Sequence, residues 1–518
     1  MQNSSGNSTK PSKGNKSIKP LHEYETEEEL RVVYEYYEQQ YQKEWQVLDY
    51  SKMKNFQNAA LYTPALSDGY INNVARLGKL QQEAIEKDEP KLDPFHELLK
   101  DTPYSIKADD LKFINPTSRI CFYPWVLFSG GQGAKTDALA QKDNWVTSKP
   151  RDPRVVVLGD SGGFQLQQQT IPFDTNSTPE RMLTWLERIA DQSMILDFPT
   201  GGIGTGAMVP HVDKLIDEGT NVKTAANQAG FSTGFMGCLI RTQQNNNYFT
   251  QNRTIGATSL LNVIQGRNEE ESNYWYQSIK HYPFEGWAFA GKHSVQLSMT
   301  LRRLIQMRDD GLLKPDQWIH FLGVSTLKVS VALTYIQRNL RVHTDATDIQ
   351  ITFDSKSPTD GVSNGYCSVS GYDFAPNKWS FHTSPTNLKK YQNSERSLKN
   401  LAFDWLVQGE HRIASHSTLS HVLELKHLVG TRDLETGNRV PSAVQQALLT
   451  HHNTQALIEG FRHAYRYLDD KYHSDRPESI QFLNAYIDLI FKDESPMDII
   501  DDIEAELDAL ALEGYFGR

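Results

Sequence analysis

At 518 residues the chain exceeds the usual single domain but suits a barrel with appended pieces, and 38% hydrophobic residues provide for a sizeable core. A formal net charge of −11 excludes indiscriminate binding of nucleic acid over the whole surface, though not a local basic patch. Three widely separated cysteines, Cys121, Cys238 and Cys367, fit reduced thiols better than a disulfide frame and cannot build a four-ligand CxxC-type zinc site; no apolar run reaches the roughly 18 residues that span a membrane, and a soluble, cytoplasmic protein is expected.

Residues 1–20 are rich in Ser, Asn, Gly and Lys without apolar period and are expected to form a disordered tail. The stretch 21–114, with "LRVVYEYYEQQYQKEW", is expected to be an N-terminal helical extension. From 115 the rhythm changes to short apolar runs, each ending in a polar residue or glycine: "ICFYPWVLFSGG", "VVVLGDSGG", "SMILDFPTGG", "FMGCLIR", "LLNVIQG", "GWAFAGK", "IHFLGVS" and "IQITFDS". Helical segments separate many of them. In "STPERMLTWLERIADQ", Thr178 is placed to cap, Pro179 sits in the first turn, and Met182, Leu183, Leu186, Ile189 and Ala190 line one face. Eight such strands alternating with helices predict an α/β fold, a (β/α)8 barrel over 115–395, with a doubly wound open sheet as the alternative. Residues 360–395 read as a hairpin-like insert, 396–473 as helices packing on the barrel, and 474–518 as an acidic helical tail.

The letters Gly159-Asp160-Ser161-Gly162-Gly163 also surround the nucleophile of trypsin-like proteases. That triad needs a histidine well before the serine, and only His22 and His96 precede Ser161, both in polar contexts. In a barrel the chemistry sits at the C-terminal strand ends, where Asp160, Asp197 and Asp354 fall beside Gln265-Gly266 and Ala290-Gly291. Carboxylates on one rim can divide into an ionised nucleophile and a protonated acid, and glycines admit a flat ligand to the backbone amides. The set suits a planar heterocycle and chemistry at an anomeric carbon. Taken singly, aspartates also end strands because they favour turns.

These motifs resemble the tRNA-guanine transglycosylase superfamily, enzymes that exchange a guanine in a polynucleotide for a 7-deazaguanine. "DSGGFQ", "SMILDFP", "LLNVIQGRNEEESNYWYQSIKHYPFEGWAFAGK", "HFLGVS", "DIQITFDSKSPT" and "LTHHNTQALIEGFRHAYRYLD" stand in family order over roughly residues 115–470. The resemblance implies Asp354 as nucleophile, Asp160 as acid/base, Asp197 on the N1 and 2-amino edge of the base, and Gln265, Gly266 and Gly291 on its O6 side. It places Phe164 on the ring face, with Ser161, Gly162 and Gly163 shaping the pocket wall. Lys292 takes the place of the family's leucine after its Gly-Gly pair, and Lys292, His293, Lys356 and Ser357 are candidates for phosphate contact.

The family's CxCxxC zinc run is missing, Cys367 standing alone in "NGYCSVSGYDFAPNKWSFH", so no cofactor or structural metal is expected. With the extra segments, this makes the chain most similar to the DNA-guanine transglycosylases of bacterial and phage 7-deazaguanine DNA-modification systems. The partners implied are DNA, with tRNA as the alternative, a free 7-deazaguanine base of the 7-cyano type, and possible partner proteins. A catalytically silent nucleic-acid-binding homologue and a glycoside hydrolase on free sugars are the competing classes.

Overall fold

The computed structural model describes residues 47–512 except 103, 168–170, 172, 202, 204–216, 220–233, 376–377, 410, 434, 436 and 469–477. The tail 1–20 and the aromatic run of 30–45 lie outside them.

Eight parallel strands close into a barrel: β1 Leu61–Leu66, β2 Trp125–Ser129, β3 Val156–Asp160, β4 Gln192–Met194, β5 Ser259–Ile264, β6 Gly286–Phe289, β7 Trp318–Phe321 and β8 Gln350–Ser355. Each pairs with its neighbours in chain order, and β8 closes the ring on β1 with Asp354 opposite Thr63. Covered by helices outside and filled by side chains inside, such strands read as apolar runs instead of alternating patterns.

The barrel therefore begins earlier than expected. The stretch 21–114 is not a helical extension throughout, since it supplies β1 and the first barrel helix, α1 Asp68–Lys87. Pro64 masks β1 in the sequence, because proline is rare inside a central strand. Conversely "FMGCLIR" is no strand. It opens α3 Phe235–Asn252, which follows α2 Ser177–Ile189, and buries Cys238, Leu239, Thr242, Asn245, Asn246 and Phe249 at helical spacing. At the start of α2 the carboxylate of Asp174 takes the amides of Asn176 and Ser177, while Thr178 lies inside the first turn and does not cap it.

Further helices cover the barrel: α4 Glu269–Ile279, α5 Leu297–Asp309 and α6 Leu327–His343. After β8 come α7 Ser357–Gly365 and the hairpin β9 Cys367–Ala375 with β10 Lys378–Pro385, joined by β11 Arg412–Ala414 along β9. A short hairpin, β12 Thr431–Arg432 with β13 Arg439–Val440, leads into α8 Ala443–Tyr465. Helix α8 is buried nearly all round and carries polar side chains inward, several of them hydrogen-bonded to neighbouring elements. Asn453 accepts from Val369 N and donates to the Cys367 carbonyl, and Glu459 accepts from the Tyr50 hydroxyl and Arg462.

The acidic end is not a free tail. Helix α9 Glu478–Lys492 packs on α6 with Ile480, Leu483, Ile487 and Ile490 fully buried. Helices α10 Pro496–Asp502 and α11 Glu504–Leu512 pack on α5, where Arg302 pairs with Asp501 and Glu504. No helix among the described residues is long and apolar enough to cross a membrane.

Candidate active site

Adjacent strand ends build the first part of the site. Ser129 closes β2 directly opposite Asp160 at the end of β3, and its hydroxyl donates to Asp160 Oδ2 at 2.7 Å. The Gly162 amide donates to Asp160 Oδ1 at 3.1 Å. That turn needs glycine, since Gly162 has φ +83° and a Cβ there would lie 2.4 Å from Gly131 N. Gly163 has a similar constraint: a Cβ would stand 2.9 Å from Asp197 Oδ1. The loop thus presses on the second carboxylate. Ser161 is fully buried and donates to the Ile195 carbonyl at 3.0 Å, so it braces the wall and faces no substrate. Beside it Phe164 is 56% exposed, a free aromatic face at the rim.

Asp197 follows β4 and Gln265 follows β5, both buried. Gln265 Nε2 donates to Asp197 Oδ2 at 2.6 Å, which holds the carboxylate and amide edges side by side. Gly291, with φ +64°, comes close to this pair: a Cβ would fall 3.1 Å from the Gly266 carbonyl and 3.2 Å from Gln265 Oε1. The Lys292 amide reaches the Gly266 carbonyl at 3.4 Å while its side chain is exposed.

Asp354, near the end of β8, is 9% exposed. Its Oδ1 accepts from Gly323 N at 2.8 Å and lies 3.3 Å from Nε2 of His320, a fully buried imidazole whose Nδ1 is 2.9 Å from Thr352 Oγ1. Oδ1 is thereby occupied. Neither His320 nor Ser129 was among the residues expected from sequence, although a histidine within the apolar run "WIHF" was the available signal.

The three carboxylates share one electrostatic neighbourhood. Burial raises Asp160 above the ordinary aspartate range, and the charge of Asp354 adds to this; the bonds from Ser129 and Gly162 and the nearby His320 oppose it. Burial likewise pushes Asp197 up to about 7, with Asp160 adding and the Gln265 bond opposing. Such a set can hold one proton among carboxylates while presenting a planar hydrogen-bonding edge.

One expectation is corrected. His293 is buried and unavailable to phosphate, its ring lying 2.9 Å from both the Ala290 carbonyl and Ser272 Oγ, and burial lowers it to about 4. Lys356 remains exposed at the rim, 3.7 Å from Asp360, and half-buried Ser357 has its Oγ 2.5 Å from Ser355 Oγ. The zinc of the tRNA-directed enzymes does not fit these residues. Cys121 and Cys238 are core residues of separate elements, and Cys367 Sγ lies 3.5 Å from the Gly365 carbonyl. Among the described residues no group of three His, Cys, Asp or Glu side chains is spaced to hold a metal ion. No family model and no curated protein matches the chain.

Proposed function

We propose that the chain is a DNA-guanine transglycosylase, exchanging a guanine in DNA for a free 7-deazaguanine base through a covalent aspartyl-sugar ester. The observation that carries this reading is the Asp197–Gln265 pair, a planar recognition edge held on the same barrel rim as Asp160 and Asp354. Two carboxylates alone would suit many glycosidic reactions; the fixed amide beside a third carboxylate suits a purine-like base.

In this mechanism the second oxygen of Asp354 attacks C1′ while Gly323 N holds the first. The bond from C1′ to the base breaks, and protonated Asp160 supplies the proton with which guanine leaves. Its raised affinity for that proton suits the role. The incoming base then gives its ring proton to Asp160 as its nitrogen displaces Asp354 from C1′. Configuration is retained, and atoms and protons balance without hydrolysis. Asp197 accepts from N1 and the 2-amino group, Gln265 and the Gly291 backbone meet the O6 side, and Phe164 covers a ring face.

DNA is favoured over tRNA because the CxCxxC run is absent and Cys367 stands alone. A duplex target must also be extruded, at a cost of a few kcal/mol, which extra protein around the rim can offset. The test is incorporation of labelled guanine or 7-cyano-7-deazaguanine into duplex DNA and, separately, unmodified tRNA, read by nucleoside mass spectrometry. Label in DNA that disappears with Asp354→Ala is expected. Label in tRNA alone reassigns the polymer, and full exchange by Asp354→Ala removes the nucleophile assignment.

A further inference from the structure

A cleft of about 990 Å³ lies in the C-terminal region, lined among others by Tyr366, Asn387, Lys389, Arg432, Asn438 and Arg439. From it we infer a second binding site, one for the phosphodiester backbone of the polynucleotide beside the nucleotide being exchanged. The polymer's identity and the site's place beside the exchanged nucleotide rest on the transglycosylase reading; the cation-lined cleft itself does not.

Lys389, Arg432 and Arg439 have no carboxylate partner among the described residues, whereas nearby Lys426 pairs with Glu424 and Glu395, and Arg412 with Asp373. The acids of the same hairpin, Asp433 and Glu435, are not in the lining, and Asp433 takes the Glu435 amide. On a chain of net charge −11, which repels a polyanion over most of its surface, three uncompensated cations in one concavity mark where such a backbone can approach.

Arg439 Nη1 donates to the Gly430 carbonyl at 2.9 Å and Nη2 to Gln392 Oε1 at 2.6 Å. Asn387 donates to the Arg439 carbonyl at 2.8 Å and accepts from Gly430 N at 2.9 Å. The hairpin is thus clamped to the opposite wall, while the heads of Lys389 and Arg432 remain exposed. Tyr366, in the same lining, is 7% exposed with a hydroxyl that has no hydrogen-bond partner.

Helix α7 starts two residues after Ser355 on the nucleophile's strand, and its last residues, with Tyr366 after them, line the cleft. Nine residues at about 1.5 Å each span about 13 Å, roughly four steps of 3.4 Å along one DNA strand. The helix thus links the strand of Asp354 directly to one wall of the cleft.

The test uses the full chain and fluorescence anisotropy with labelled duplex DNA and labelled unmodified tRNA over a salt series. Lys389→Ala combined with Arg432→Ala should reduce the slope of log K against log salt by about two, and weaken binding on the order of tenfold per cation near about 0.1 M salt. Lys79→Ala, an exposed change outside the cleft, should match the unsubstituted protein. Both targeted side chains are exposed, so melting temperatures should be equal; Arg432→Gln alone, which keeps polar bulk, should move the slope by about one. An unchanged slope and affinity on both polymers overturns the site. Exchange is scored separately: a protein with no exchange whose slope still falls retains the cleft and loses the transglycosylase reading.

Discussion

At the scale of the residue, Asp197 carries the clearest physical tension. Burial holds its carboxyl at about 7, and a single bond from Gln265 offsets only part of that. Because the folded affinity for the proton is raised, the folded chain keeps a proton that the unfolded chain releases between about pH 4 and 7, and stability falls as pH rises through that window. Asp197→Asn should therefore gain up to about 4 kcal/mol over the natural residue at about pH 8 and nothing below about pH 4, as read by urea denaturation at both. A variant no more stable at the higher pH would contradict this, and the same variant should lose base exchange. The three rim aspartates were legible in the sequence because a charged letter ended each apolar run. Ser129 and His320 were not, because their roles depend on register. Ser129 matters only because β2 and β3 align it with Asp160, and His320 only because β7 and β8 place it beside Thr352 under Asp354.

At the scale of the element, the turn after β3 is the least tolerant piece of the rim. Gly162→Ala introduces a carbon 2.4 Å from a backbone nitrogen at φ +83°, and should cost about 3 kcal/mol or more in chemical denaturation while displacing Asp160 and lowering exchange. Gly201→Ala, with nothing within 4 Å of the new carbon, should stay within about 0.5 kcal/mol of the parent and serves as the control. Equal effects at both positions would refute the steric account. Seven of the eight strands were readable as apolar runs with polar ends. The exceptions have causes: β1 contains Pro64, and "FMGCLIR" is a short apolar run whose period does not distinguish strand from buried helix.

At the scale of the whole molecule, the C-terminal helices belong to the barrel's outer layer. Their acidic letters suggested a helical tail; the helices are there, and the apolar residues between those letters face α5 and α6. Leu483→Ala should cost about 2–5 kcal/mol and lower a single cooperative transition, measured by urea denaturation with tryptophan fluorescence. A separate early transition would show instead that α9 unfolds on its own. Closure of the ring of strands has a temporal side as well. Chain synthesis runs from β1 to β8, so the strand bearing Asp354 is the last of the eight to leave the ribosome, and one edge of β1 waits for it across nearly 300 residues. On the transglycosylase reading, a chain abandoned before that point has Asp160 and Asp197 but no group able to bond to a sugar.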